Sequence, residues 1–152
     1  RSQTMKTIIG TKADVAKELT AQVAAVLASK PEANIAISAV DLPAEVLDAL
    51  AASDIAFDRA ALFQACEYCG AAGKGAHAVG TAFSPLTAAK PFAAVHAPDP
   101  DADAEHAADY DAAIQAAGGL DLVILGLGER GHVAFNEPGA GFGEKTHIAK
   151  LA

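Results

Sequence analysis

The stretch from residue 120 to residue 138, LDLVILGLGERGHVAFNEP, constrains the fold more than any other part of this chain. It opens on the unbroken aliphatic run Leu122, Val123, Ile124 and Leu125, the pattern of a strand buried on both faces of a parallel sheet. Gly126, Gly128 and Gly131 follow at once. Glycines so spaced let a backbone turn sharply and approach a ligand closely. In open α/β sheets, ligands sit beyond the carboxyl ends of the strands. The polar residues in that position here, Glu129, Arg130, His132, Asn136 and Glu137, are the first candidates for a functional site.

The rest of the chain supplies the partners such a strand needs. Residues 6–9 form a short strand candidate, and Thr11 is placed to cap a helix over 13–28, where Val15, Leu19, Val23, Val26 and Leu27 recur at helical spacing. Pro31 closes that region, and 35–38 reads as the next strand. Pro43 opens a helix over 44–51 with Val46, Leu47 and Leu50 on one side. A strand over 60–65, a glycine-rich loop over 70–80, a strand over 93–96 and a helix over 102–117 lead into the strand at 120–125. Strands alternating with helices predict a Rossmann-like open parallel sheet with helices on both faces. No repeat or linker divides residues 5–152, so one α/β domain is expected. Residues 1–4, ahead of Met5, are set aside as a cloning remnant.

A net charge of −8 argues against a nucleic-acid groove or an anionic membrane as partner. It does not exclude a small anionic substrate held by local positive groups. No apolar run approaches the ~20 residues of a membrane span, and no secretory pattern opens the chain. A cytoplasmic location is expected.

The run GLGERGHVAFNEP strongly resembles the signature of the glucosamine-6-phosphate deaminase (isomerase)/6-phosphogluconolactonase family, which on its deaminase branch reads GxGxDGHxAFNEP. The Ala-Phe-Asn-Glu-Pro ending belongs to that branch. Further matches are Glu67-Tyr68 within FQACEYCG, Tyr110, and the approach Gly119-Leu120-Asp121-Leu122. The resemblance implies the family fold without its C-terminal part. It also implies conversion of an aminosugar phosphate to a ketose phosphate with loss of ammonia. By the same resemblance, His132 is the acid/base of ring opening and Glu137 supports it. Glu67, Gly128, Gly131 and Asn136 fall at substrate-binding positions, Asn136 with a structural role. Such chemistry calls for a carboxylate base and a carboxylate-held histidine, both near the working pH.

Three positions depart from the family pattern. Cys66 stands where the family has the aspartate that removes the C2 proton, and a thiol is a poor substitute base. Arg130 stands where the family has the aspartate that orients the histidine, and an arginine cannot accept an N–H. The stretch Val40-Asp41-Leu42-Pro43 replaces a Gly-Ser-Thr-Pro-like phosphate turn, with Asp41 an anion where an anion should bind. Two functions stay open on these residues. One is an active aminosugar-phosphate deaminase/isomerase acting on a small sugar phosphate. The other is a degenerate relative serving as a metabolite-binding or interaction protein.

Cys66 and Cys69 form a C-x-x-C that could be a redox pair or, with His77, part of a zinc site. The loop that follows and the lack of a fourth ligand favour two reduced thiols. Asp99, Asp101 and Asp103 mimic the start of a calcium loop, but Ala104 replaces its turn glycine and Tyr110 its bidentate glutamate. No metal and no cofactor is expected. A sheet ending soon after the signature strand would leave an unpaired edge, which predicts self-association into a homo-oligomer.

Overall fold

The computed structural model describes residues 5–70, 78–141 and 143–151. Helix α1 spans Lys12–Ser29. Thr11 caps it as its sequence predicts: the hydroxyl accepts the Asp14 N–H at 3.2 Å, and the Asp14 carboxylate accepts the Thr11 N–H at 2.9 Å. Two N–H groups that a helix start leaves unsatisfied are thereby paired. Strand β1 is Asn34–Ile37, and α2 is Ala44–Ala52 with Pro43 at its N-cap. Strand β2 is Ala61–Gln64, followed by the short helices α3, Ala78–Thr81, and α4, Ser84–Ala89. Strand β3 is Ala94–His96. A 3₁₀ turn at His106–Ala108 runs into α5, Asp109–Ala116, which leads to β4, Leu122–Ile124.

The four strands are parallel and lie in the order β3-β2-β1-β4. Alternate residues of a strand share a face, and the register sorts the side chains accordingly. Ile35 is level with Leu62 and Leu122, and Ile37 with Ile124. This face packs with Val23 and Leu27 of α1, Val46 and Leu50 of α2, and Leu86 of α4 into the main core. Each such aliphatic side chain contributes about 1.5–3 kcal/mol on full burial. On the other face, Ala36 is level with Phe63 and Val123, and Phe63 with His96. There Tyr110, near the start of α5, lies over the sheet with its ring 6.3 Å from Phe63. The expected open parallel sheet with helices on both faces is formed.

Three expectations need correction. Residues 6–9 form no strand; among the described residues they pair with none, and Ile9 is 96% exposed. The capping box at Thr11 commits the chain to α1, and Lys6 turns back to Glu18 at 2.9 Å. The helix expected over 102–117 starts later because aspartates hold the preceding chain in turns. Asp99 accepts the Asp101 N–H, and Asp103 accepts those of Glu105 and His106. The aliphatic run of β4 is not buried on both faces: Leu122 and Ile124 point to the core, while Val123 and Leu125 are about half exposed (48% and 46%). Among the described residues β4 has one neighbour, β1, and forms an edge of the sheet.

Candidate active site

The strand order places a reversal between β1 and β4. The connection after β1 leads to α2 on one face, and the connection before β4 passes through α5 on the other. Loops leaving neighbouring strands at such a point diverge and open a crevice at their carboxyl ends. The residues after β1 and after β4 meet there.

Two of the three signature glycines serve the chain's own packing. A Cβ on Gly126 would lie 2.4 Å from the Asp41 carbonyl carbon and the Val40 oxygen, so the two loops touch backbone to backbone. A Cβ on Gly128 would lie 2.2 Å from ring atoms of His132. The close approach read from these glycines is therefore to Asp41 and His132. Gly131 makes the turn, with φ at 83° and its N–H donating to the Gly128 carbonyl at 2.8 Å. The Gly128 N–H donates to the His132 carbonyl at 2.9 Å, and Val133 and Asn136 exchange two backbone bonds around Ala134, whose φ is 52°. This double turn fixes the direction of each side chain from His132 to Glu137.

Nε2 of His132 lies 2.7 Å from Oδ2 of Asp41, with both side chains partly exposed. Arg130 points to solvent and forms no ion pair among the described residues. Asn136, Glu137 and Gly131 line a concavity of about 1490 Å³ together with Cys66, Glu67 and Tyr68 from the loop after β2. Tyr68 and Phe135 join the two walls, their ring centroids 4.6 Å apart. His132 stands beside this concavity, on the Asp41 side.

The Glu67 carboxylate is buried, and both its oxygens are engaged by the chain. Oε1 accepts the N–H groups of Tyr68 and Val79, and Oε2 accepts that of Gly80 and the Gln64 amide. Burial alone would raise its carboxyl, but the three backbone N–H groups and Gln64 hold it below the ordinary value. Glu67 thus holds the loop in shape where the resemblance puts substrate binding. We expect Glu67→Gln to destabilise the fold by about 2 kcal/mol at neutral pH, since an amide N–H₂ would face backbone donors. A carboxyl held low in the folded state contributes fully above its unfolded value of 4.5 and loses that contribution as pH falls through the folded value. The deficit of the variant should therefore shrink in urea unfolding at about pH 3.5.

Cys66 is half-buried, with Sγ 3.8 Å from the Ser38 hydroxyl. Burial pushes its thiol up; Ser38 offsets this in part, and the Glu67 charge adds to it. Cys66 and Cys69 are both free thiols. Among the described residues no group of three His, Cys, Asp or Glu side chains could hold a metal. His77 lies outside the described residues. Asp99, Asp101 and Asp103 sit in their own backbone turns, and Asp103 also pairs with His106 Nδ1 at 2.7 Å. Tyr110, matched only by resemblance, donates its hydroxyl to the Gln64 carbonyl at 2.8 Å. It is within 3.2 Å of the His96 carbonyl, and so ties the ends of β2 and β3 together. Burial pushes that phenol strongly up.

Residues 10–140 match the family model described as glucosamine-6-phosphate isomerases/6-phosphogluconolactonase. A glucosamine-6-phosphate deaminase of Pseudarthrobacter chlorophenolicus is 35% identical over 153 residues, covering 95% of this chain and 59% of the relative. One of Mycolicibacterium smegmatis is 37% identical over 139 residues, covering 85% and 53%. The chain thus spans little more than half the length of these curated relatives. Among solved structures, a monomeric glucosamine-6-phosphate deaminase superimposes with a TM-score of 0.78 at 20% identity, covering 97% of this chain and 66% of that one. The 6-phosphogluconolactonase of Thermotoga maritima gives 0.65 at 22% identity, covering 85% and 62%. These two likenesses speak to the fold alone. On the extent of the family match, the chain belongs to the glucosamine-6-phosphate isomerase/6-phosphogluconolactonase family.

Proposed function

We propose that this chain acts in aminosugar-phosphate metabolism as a deaminase/isomerase, converting an aminosugar 6-phosphate and water to a ketose phosphate and ammonia. The observation that carries the reading is the double turn after β4, which presents Asn136 and Glu137 to the same concavity as Cys66 and keeps His132 beside it. The names of the relatives at 35% and 37% identity support the same substrate class. In this reading His132 relays the proton of ring opening. Glu137 supports it and polarises the amino end of the opened sugar.

Removal of the C2 proton is the weak step. Burial pushes the Cys66 thiol above its ordinary value, so the thiolate that would act as base is disfavoured at neutral pH. Turnover that depends on the Cys66 thiolate is expected to be slow at neutral pH and to climb as pH rises toward 9, where the thiolate fraction grows. Ammonia release from glucosamine 6-phosphate at millimolar concentration checks this. Release above blank that increases with pH agrees with the proposal, and none above blank rejects the activity.

The raised thiol and the solvent-facing Arg130 favour a second reading, a relative that keeps the fold and binds a metabolite without turning it over. A ligand at a hundred times its Kd stabilises the folded state by ~2.7 kcal/mol. A thermal shift of that size with a metabolite other than a sugar phosphate, without ammonia release, would support this second reading.

A further inference from the structure

Two departures from the family pattern, an acid at position 41 and a base at position 130, meet in one piece of geometry. The histidine has a carboxylate at 2.7 Å, and it comes from the loop after β1. We propose that Asp41 is the positioning residue of His132, fixing its ring orientation and its tautomer so that Nδ1 is the nitrogen that exchanges a proton with substrate. The inference rests on the reading above, in which His132 relays the ring-opening proton.

The contact is built from both sides. The Asp41 backbone is held at φ 55°, a left-handed conformation that aspartate and asparagine adopt more readily than most residues. It lies directly against Gly126, where any side chain would collide with the backbone of residues 40 and 41. The imidazole in turn lies over Gly128, which leaves no room for a Cβ beneath Nε2 and its neighbouring ring carbons. With backbone contact on one side and ring contact on the other, the carboxylate and Nε2 are set at hydrogen-bond distance. Further rearrangement is not needed to bring them together.

A carboxylate only accepts, so Nε2 carries the hydrogen and donates it to Oδ2. The lone pair of the neutral ring then resides on Nδ1. Among the described residues Nδ1 has no hydrogen-bond partner, so it is the ring nitrogen left to exchange a proton. The same carboxylate makes the loop after β1 a poor seat for a phosphate, since its negative charge would repel one. In this chain that loop anchors the histidine.

The test combines ¹⁵N imidazole spectra with kinetics on the wild type, Asp41→Asn and Asp41→Gly, with His132→Asn used to assign the resonance. Asparagine and glycine are well suited to φ 55°, so both variants should fold, with melting temperatures within about 2 °C of the wild type. At about pH 9, where an ordinary imidazole is neutral, the wild type is expected to show Nε2 protonated and Nδ1 unprotonated. Asp41→Gly should give averaged tautomers, and Asp41→Asn should lose the wild-type preference because its amide can donate to Nε2. Ammonia release should fall by about 100-fold in kcat in both variants, with KM within about threefold. A wild-type ring with Nε2 unprotonated or with averaged tautomers overturns the proposal, whatever the activity. So does an unchanged kcat in both variants beside an active wild type. Absence of ammonia release from the wild type defeats the functional reading alone, and the tautomer spectra still decide whether Asp41 positions the ring.

Discussion

Replacing His132 with asparagine is expected to lower kcat for ammonia release by about 10²- to 10⁴-fold, the range over which a positioned acid/base accelerates proton transfer. Asparagine is too short to place an N–H where Nε2 stands, so the contact to Asp41 is lost together with the titratable ring. The ring is partly exposed and outside the main core. Thermal stability should therefore stay within about 1 kcal/mol of the wild type, the most that a partly exposed pair of this kind contributes. Steady-state kinetics and a melting curve on the same preparation separate the two effects. Equal kcat in the variant and the wild type would remove His132 from the reaction.

The largest stability effect is expected at Phe63. Its ring is 1% exposed in the middle of the sheet, stacked on His96 at 4.4 Å and facing Tyr110 at 6.3 Å. Phe63→Ala removes the surface on which α5 rests, and a truncation of this kind costs about 3–5 kcal/mol. Domains are stable by only about 5–15 kcal/mol, so one ring supports a large share of the total. Urea unfolding should show a lower midpoint. A loss below about 1 kcal/mol would mean that the face collapses around the gap. The core face carrying Leu62 and Ile35 is untouched by the change, so the variant separates the two faces of the sheet energetically.

Local patterns were readable wherever residues close in sequence also act on one another. The Thr11 cap, the Pro43 start of α2 and the strands expected over 35–38 and 60–65, which the structure places at Asn34–Ile37 and Ala61–Gln64, follow from near neighbours alone. The aliphatic run at 122–125 forms the strand its pattern predicts, over Leu122–Ile124. That only alternate residues are covered could not be read, because burial depends on which strand and helix lie beside it. A helix over 102–117 is what the pattern predicts, yet the acids at 99–103 form turns that delay it. Within the site, the glycines were legible as points of close approach, but not what approaches them. The pairing of Asp41 with His132 joins residues 91 positions apart, and no spacing in a single sequence carries that information. Glu67 was found by resemblance, while its service to three backbone N–H groups depends on where Val79 and Gly80 fold back.

The place of β4 in the sheet has a consequence for how the molecule is made. Strands β1 and β2 can pair after a single short crossover, but β4 must close a loop of most of the chain before it docks on β1. Closure entropy grows only slowly with length, by about 0.6 kcal/mol per doubling, yet contacts so distant in sequence are slow to form. Among the described residues β4 is held by one neighbour, and such an edge strand is where opening of the native state begins at low cost. The proton-relay histidine is carried on that strand's exit, while its anchoring carboxylate belongs to the early-forming part. Assembly of the pair therefore reports that β4 has docked on β1. Amide exchange at Ile124 and Gly128 should track the open fraction of the site more closely than exchange in β2.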